Sequence, residues 1–566
     1  MYGLEICPRA AQLAELALVF KAREKSRRFF QPEYLVRPNI IELRDVSFAE
    51  NELQDYINDL GLGEIFNQPM LRLLHQFEDA KNFGSLIQPC LDERAIAEVR
   101  RAIEAKDLDG QLFLRETHLK VLRVLEQAEA LTQRYHVVVA NPPYMGTKGM
   151  NGRLAQFAKD SFPNSKFDLF SMFIERNVAL TLKGGRTALI TMQSWMFLSS
   201  YNELRESLIG SIQFSSMLHL GPRGFDSISG EVVQTVAFVF NNCAPTGTPS
   251  VFFRLIDGTS EEKKSQMFFE TAALPTSPTK FVVSQANFSR IPGHVVAYWL
   301  SHQVLEAFSQ MPALAESISL RKGLTTMNNG RFLRFWHEVA ASRTKLDAPD
   351  SNSARLSKAR WFPVLKGGGS RRWFGLNDYL INWENDGEEL KSFISSIYNG
   401  GSYTKEIRSE DQYFKPSITW STLTSDALSM RLNGAGSIFE SKGSVGLARS
   451  QEELLGGLAF CNSVVAGVFL NALSPTLDYN AGPVSRVPYA NPQIGESARI
   501  ATSCVSIARA DWDNFETSWD FRDQPLLRPG LKGATLEASW RNWEAQSTAA
   551  IRRMQELETE NNRLFN

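Results

Sequence analysis

The sequence reads as an α/β protein on three observations. Val137-Val138-Val139-Ala140 is an apolar run that stops at Asn141-Pro142-Pro143-Tyr144, as a buried strand stops at a loop. Residues 1–48 read strand, helix, strand. Beyond the tetrapeptide a helical period gives way to a strand period and then to two further strands. This alternation predicts a Rossmann-like sheet core, here interrupted by a helical insertion and followed by a second α/β domain.

The elements follow in order. Met1-Tyr2-Gly3-Leu4-Glu5-Ile6 reads as a short strand ending in an acid. From Pro8 to Arg23, Leu13, Leu16, Ala17 and Phe20 fall on one helical face, and Pro8 suits a first turn. Ile40 to Leu43 is the second strand and runs out at Asp45-Val46. Residues 50–134 are mostly helical, most clearly at Leu119, Val121, Leu122, Leu125 and Ala128, and read as an insertion between sheet strands. Phe167 to Leu182 is an amphipathic helix that Gly184-Gly185 ends, and Arg186 to Met192 is the next strand. Strands around Ser216 to Leu220 and Val232 to Phe240 complete the sheet. Thr, Ser, Pro and Gly rise at Pro245 to Ser250 and Pro275 to Thr279, marking linkers. Cys461 to Leu473 is short and apolar, a core helix, and an amphipathic helix starts near Leu536. The expected domains are 1–245, with 50–134 inserted, then 246–535, then a C-terminal helix over 536–566.

Composition narrows the function. A chain of 566 residues builds several cores. A net charge of −1 leaves no global nucleic-acid footprint, so contact with a polyanion must be local. The five cysteines are scattered without CxxC spacing, which points to a reducing compartment and away from a zinc cluster. The seven histidines show no metal-ligand spacing. With no signal-peptide pattern and no apolar stretch of spanning length, a cytoplasmic location is expected.

Asn141-Pro142-Pro143-Tyr144 carries chemistry. An exocyclic base amine is a poor nucleophile while its lone pair is delocalised into the ring. An Asn side-chain oxygen and a backbone carbonyl held rigid by Pro accept both amine hydrogens and favour a tetrahedral nitrogen. An adjacent aromatic stacks on a base drawn out of the duplex. In a doubly wound sheet, an acid at the end of the second strand hydrogen-bonds ribose hydroxyls of a bound nucleoside.

The flanking residues add a resemblance. Tyr135 to Asn151, Lys166-Phe167-Asp168-Leu169-Phe170 and Phe173-Ile174-Glu175-Arg176 resemble the catalytic segment of the PglX methyltransferases. These are the adenine-specific DNA methyltransferases of BREX phage-defence systems. The resemblance returns at Gly330 to Trp336, Asn382 to Glu388 and Asp511 to Phe521, in the family's order. It implies a methyltransferase core, S-adenosylmethionine as donor and double-stranded DNA as substrate. It implies catalytic roles for Asn141, Pro142, Pro143 and Tyr144, with Asn at the first position favouring adenine. It places the donor at Glu5 and Ile6 and at Asp45 and Val46. Gly146 to Arg153, with three Gly, one Lys, one Arg and no bulky strand formers, reads from its composition as a mobile loop closing over the target. Phe167 and Trp195 stand either as base-packing aromatics or as core. Cys7 departs from the expected polar residue, and Met327 from an expected Gly. The family also places a first strand and a Gly-rich loop ahead of the segment at Met1, and further chain beyond Phe565. The expectation is therefore a middle portion of a larger enzyme, with the remainder on another polypeptide or lost from this one.

Arg321 to Arg372 is the basic stripe. Twelve Lys and Arg face only Glu338, Asp347 and Asp350, a local charge of +9, with Trp336, Trp361, Phe362, Trp373 and Phe374 interleaved. Lys and Arg neutralise phosphates, and Arg reads guanine edges. The DNA contacts expected here are Lys322, Arg331, Arg334, Lys366, Arg371, Arg372 and Trp373, with Lys148 from the catalytic loop. The alternative is a solvated surface with its aromatics in the core. Two rival functions stay open. One is a DNA-binding specificity subunit, which binds DNA but transfers no methyl. The other is part of a bifunctional restriction-modification enzyme, which cleaves with magnesium.

Overall fold

The βαβ pattern at the start of the chain forms as its periods require. In a computed structural model, which describes residues 1–106, 112–226, 233–424, 427–474 and 478–565, β1 (Tyr2–Glu5) and β2 (Asn39–Glu42) pair in parallel across α1 (Pro8–Lys25). Contacts divide the chain into two units, Met1–Ser289 and Arg290 onward.

In the first unit the insertion is helical. It comprises α2 (Glu52–Asp59), α3 (Gln68–Gln76), α4 (Ala80–Phe83), α5 (Glu93–Glu104) and α6 (Leu112–Thr132). Its inward faces bury one core that includes Leu73, Phe77, Ile96, Val121 and Leu125. Asn67 and Asp92 cap α3 and α5 through their side chains. The chain continues through β3 (Tyr135–Ala140), α7 (Gly152–Ser161), α8 (Leu169–Leu180), β4 (Thr181–Met192), α9 (Asn202–Ser211), β5 (Gln213–Gly221) and β6 (Thr235–Asn241). It closes with β7 (Ser250–Arg254), α10 (Glu261–Ala272) and β8 (Lys280–Val283). The sheet order is β3-β4-β6-β5-β7-β8, with β3 parallel to β4 and β6 antiparallel to both β4 and β5.

Two local expectations change. The helix expected to end at Gly184-Gly185 ends at Leu180, because Thr181 already pairs with Tyr135. The glycines instead form a bulge inside β4, where Gly184 takes φ +80° and a Cβ on Gly185 would lie 2.6 Å from the His136 carbonyl oxygen. The strand expected from Val232 begins at Thr235, Val232 itself lying outside the described residues. The sheet continues past residue 245 through β7 and β8.

The sheet is covered unequally. α8 packs on β3 and β4, and Leu189, Phe238, Phe240 and Met217 are buried. On β3, Val137 and Val139 are 59% and 73% exposed. Ala188, Ile190, Ala237 and Val239 are only half-buried. The outer edge of β3 pairs with no strand among the described residues, and neither does the second edge of β1. The apolar face of α1 is also bare, with Leu13, Leu16 and Phe20 exposed.

The second unit opens with α11 (His302–Gln310), β9 (Ser319–Arg321), α12 (Asn329–Phe332), β10 (Leu333–Phe335), α13 (Ser351–Leu356), β11 (Trp361–Leu365), β12 (Tyr379–Asn382) and α14 (Glu384–Ile397). Next come β13 (Ser417–Trp420), β14 (Met430–Asn433), β15 (Ile438–Phe439) and β16 (Val445–Leu447). The helices α15 (Gln451–Cys461), α16 (Val464–Leu473), α17 (Ala481–Ser485), α18 (Ile494–Trp512) and α19 (Leu536–Phe565) complete it. Two four-stranded sheets form, β10-β12-β11-β15 and β14-β13-β16-β9. Phe362, Trp383, Phe414 and Phe439 share a core. Gly323 permits a close backbone approach there, since a Cβ would meet the Phe439 carbonyl oxygen at 1.9 Å. The core helix expected over Cys461 to Leu473 forms from Val464 to Leu473, while Cys461 ends α15, which is bent by 72° from α16 around Asn462-Ser463. Among the described residues no single helix is long and apolar enough to cross a membrane.

Candidate functional site

Pro142 and Pro143 donate no backbone hydrogen bond, so β3 ends where they begin. Asn141 is thereby set at the strand's carboxyl end, exposed, its amide bonded to no group among the described residues. Pro142 is buried and Pro143 exposed. The Tyr144 ring sits edge-on to Phe170 at 6.1 Å. Its buried hydroxyl has no hydrogen-bond partner among the described residues, and burial raises its pKa.

The following loop is anchored, where mobility was expected. The Met145 amide donates to Asp168 Oδ1 at 2.9 Å, the Leu169 amide to the Met145 carbonyl at 3.1 Å, and the Thr147 amide to the Phe167 carbonyl at 3.2 Å. Gly146 and Asp168 form an antiparallel bridge, Met150 is buried, and α7 begins at Gly152. Asp168 also caps α8. Burial raises its carboxyl pKa, against the amides of Met145, Phe170 and Leu169. Its part is to hold the loop, a role that its place in the sequence gave no means of reading. Phe167 stays 37% exposed beside this loop. Trp195 is fully buried against Phe214, Phe238 and Phe240, and is core.

On the other side, Glu5 Oε1 accepts from the amides of Ile6 and Cys7, both at 2.9 Å. Its second carboxylate oxygen remains available. Ile6 is exposed. Asp45 is exposed and accepts from the Lys81 amide at 2.8 Å. Val46 is 4% exposed in the helical core and its amide donates to the Phe77 carbonyl. That side chain therefore packs the insertion and offers no surface to a ligand. Tyr2 of β1 and Tyr135 of β3 meet ring to ring at 5.3 Å.

The basic residues sort into free and neutralised. Lys148 and Lys322 are exposed and form no ion pair among the described residues. Lys366 lies 4.3 Å over the Tyr379 ring. Arg334 bonds the carbonyls of Gly330 and Leu333 and sits over Trp361. Arg331 pairs with Glu389 at 2.8 Å, Arg371 with Asp511 at 2.6 Å, and Arg372 with Glu558 at 3.6 Å. Trp373 is 2% exposed and donates to Glu558, so it is withdrawn from any base. The partner acids lie outside the window in which the stripe's charge was counted. Met327, where glycine was expected, takes φ +58°, the left-handed region that glycine favours. Phe335 is 39% exposed and packs against Tyr379, the ring over which Lys366 sits.

Residues 1–225 match the family model described as Eco57I restriction-modification methylase. The adenine-specific methyltransferase PglX of Lacticaseibacillus casei (strain Zhang) is 35% identical over 578 residues, covering 100% of this chain and 47% of that protein. By sequence, this chain is similar to the PglX methyltransferases over its whole length. The adenine-specific methyltransferase BrxX of Escherichia coli O9:H4 (strain HS) is 36% identical, covering 96% of this chain and 45% of that protein. The chain thus spans about half the length of the curated relatives it matches. Among solved structures, the Type IIL restriction-modification enzyme MmeI in complex with DNA gives a TM-score of 0.41 at 11% identity, covering 92% of this chain and 80% of that one.

Proposed function

We propose that this chain carries the target-amine side of a DNA adenine N6-methyltransferase using S-adenosylmethionine, acting in BREX-type phage defence. The observation that supports this is Asn141, exposed and unbonded at the end of β3, with Pro142 and Pro143 behind it. Asn141 Oδ1 and the Pro142 carbonyl accept the two amine hydrogens, and the lone pair leaves conjugation with the ring. Tyr144 stacks on the flipped adenine. When bound, S-adenosylmethionine supplies an electrophilic methyl. Glu5 and Asp45, each with a carboxylate oxygen to spare, would hold its ribose and its adenine amine. The amine proton passes to water after the N–C bond has formed, so no strong base is needed. Lys148, Lys322, Lys366 and Arg334 contact phosphates of double-stranded DNA, and the target-recognition domain is the second unit up to residue 535, without residues 246–289, whose strands extend the first unit's sheet.

A second reading rests on the unpaired edge of β3. In it the chain binds DNA and presents the catalytic loop, while another polypeptide segment completes the donor pocket. Transfer of labelled methyl from S-adenosylmethionine to unmodified plasmid DNA tests both readings. Transfer by the chain alone, lowered ~10²–10³-fold by Asn141→Ala, supports the first. DNA binding without transfer supports the second. Absence of DNA binding overturns both.

A further inference from the structure

The donor-side acid Asp45 and the loop after Asn141 sit on separate elements, and one short segment touches both. Asp79 to Gly84 comprises α4 and its flanks. Toward the donor side, the Lys81 amide donates to Asp45 Oδ1 at 2.8 Å. Gly84 lies against Ile6, for a Cβ there would come within 3.2 Å of Ile6 Cγ2. Toward the loop, Asn82 and Asn151 exchange amide hydrogen bonds. Asn151 Nδ2 donates to Asn82 Oδ1 at 2.9 Å, and Asn82 Nδ2 donates to Asn151 Oδ1 at 3.3 Å. Arg153 pairs with Asp79 at 2.7 Å, and Phe83 stacks on Phe157 at 4.3 Å with 13° between the rings. Asn151 Oδ1 also caps α7 by accepting from the Leu154 amide.

We propose that Asp79 to Gly84 is a strut that sets the loop from Met145 to Asn151 at a fixed position relative to Asp45, with Asn82 as its positioning residue. The bonds at its two ends differ in kind. At one end a carboxylate receives a backbone amide, which fixes the strut's main chain. At the other a reciprocal amide pair fixes both distance and orientation, because both side chains must present matched donor and acceptor. A stacked ring and an ion pair flank that end. The loop is then held at both ends, by Asp168 at Met145 and by Asn82 at Asn151. Such fixing matters for chemistry, since a displacement of about 1 Å at the reacting groups costs ~10²-fold in rate. The consequence for methyl transfer rests on the reading of Asn141 and Asp45 given above; the mechanical restraint does not.

Amide hydrogen exchange on the full chain, without donor or DNA, tests the strut. Asn82→Ala and Asp45→Ala should each speed exchange at the Thr147 and Gly149 amides ~10-fold or more, with α9 unchanged. Asp45→Asn, which keeps the acceptor oxygen, should restore wild-type exchange. Unchanged loop exchange in Asp45→Ala would overturn the proposal, because the donor end would then exert no hold on the loop. Equal acceleration in α9 and the loop would overturn it too, by showing a general loss of stability. If the chain transfers methyl, Asn82→Ala should lower kcat ~10-fold and leave KM for DNA unchanged. This exchange experiment fails separately from the methyl-transfer reading, since it uses neither substrate.

Discussion

Glu440 follows β15 and is 6% exposed. Burial pushes its carboxyl up to about 7, and nearby Lys366 opposes the rise only in part. A carboxyl whose pKa is higher folded than unfolded contributes stability that is fully present below the unfolded value near 4.5. That stability is lost as pH rises through about 7. The loss amounts to about 3 kcal/mol, each tenfold change in proton affinity being worth ~1.4 kcal/mol. Urea unfolding monitored in the second unit should therefore show lower stability at pH 8 than at pH 5. Glu440→Gln should remove most of that difference, and an unchanged pH profile in the variant would refute the assignment. Residue by residue, legibility followed distance along the chain. Asn141 was readable because the prolines that expose it are its neighbours. Trp373 was not, because its partner Glu558 lies 185 residues away. The pairing of Arg331 with Glu389 escaped the charge count for the same reason.

At the scale of elements, α8 is bound to the helical insertion through Arg176. Its Nε donates to the Ser85 carbonyl at 2.8 Å, and Nη2 to the carbonyls of Ile87 and Leu131 at 2.8 Å and 2.7 Å. No carboxylate takes part in these bonds, and burial, with nearby Arg134, brings the guanidinium pKa down to about 10. Arg176→Leu would strand three carbonyls that are shielded from water, at a cost of ~3 kcal/mol or more. Chemical denaturation should register that loss, together with faster proteolysis between residues 84 and 87. A change under ~1 kcal/mol would mean that water reaches those carbonyls. The helices themselves were largely legible. Pro8 opens α1 at its expected residue, and the period at Val121 and Leu125 does mark a buried face of α6. Gly184-Gly185 misled because a helix stop and a strand bulge both need a residue at positive φ.

For the molecule as a whole, the α/β class and the succession of strands were readable. What covers the sheet was not, since periodicity reports that a face is apolar but not what meets it. Val137 and Val139 lie on β3, whose outer edge pairs with no strand among the described residues, and a groove beside Val139 runs past Ile190 and Val239 to Asn141. Parallel sheets are ordinarily shielded on both faces. The isolated chain should therefore self-associate with rising concentration. The double substitution Val137→Lys with Val139→Lys should suppress this in sedimentation velocity while far-ultraviolet circular dichroism stays unchanged. A wild-type chain that stays monomeric across the concentration range would count against an adhesive face.

The same edge strand bears on how the protein is made. A growing chain on the ribosome reaches β3 well before β4 exists to pair with it, and after β4 has docked β3's far side still pairs with no strand among the described residues. Through that interval and beyond it, nascent copies on one messenger are close enough to add to one another edge to edge. Yield from a producing cell should then depend on synthesis rate and holdase supply more than on the stability of the finished fold.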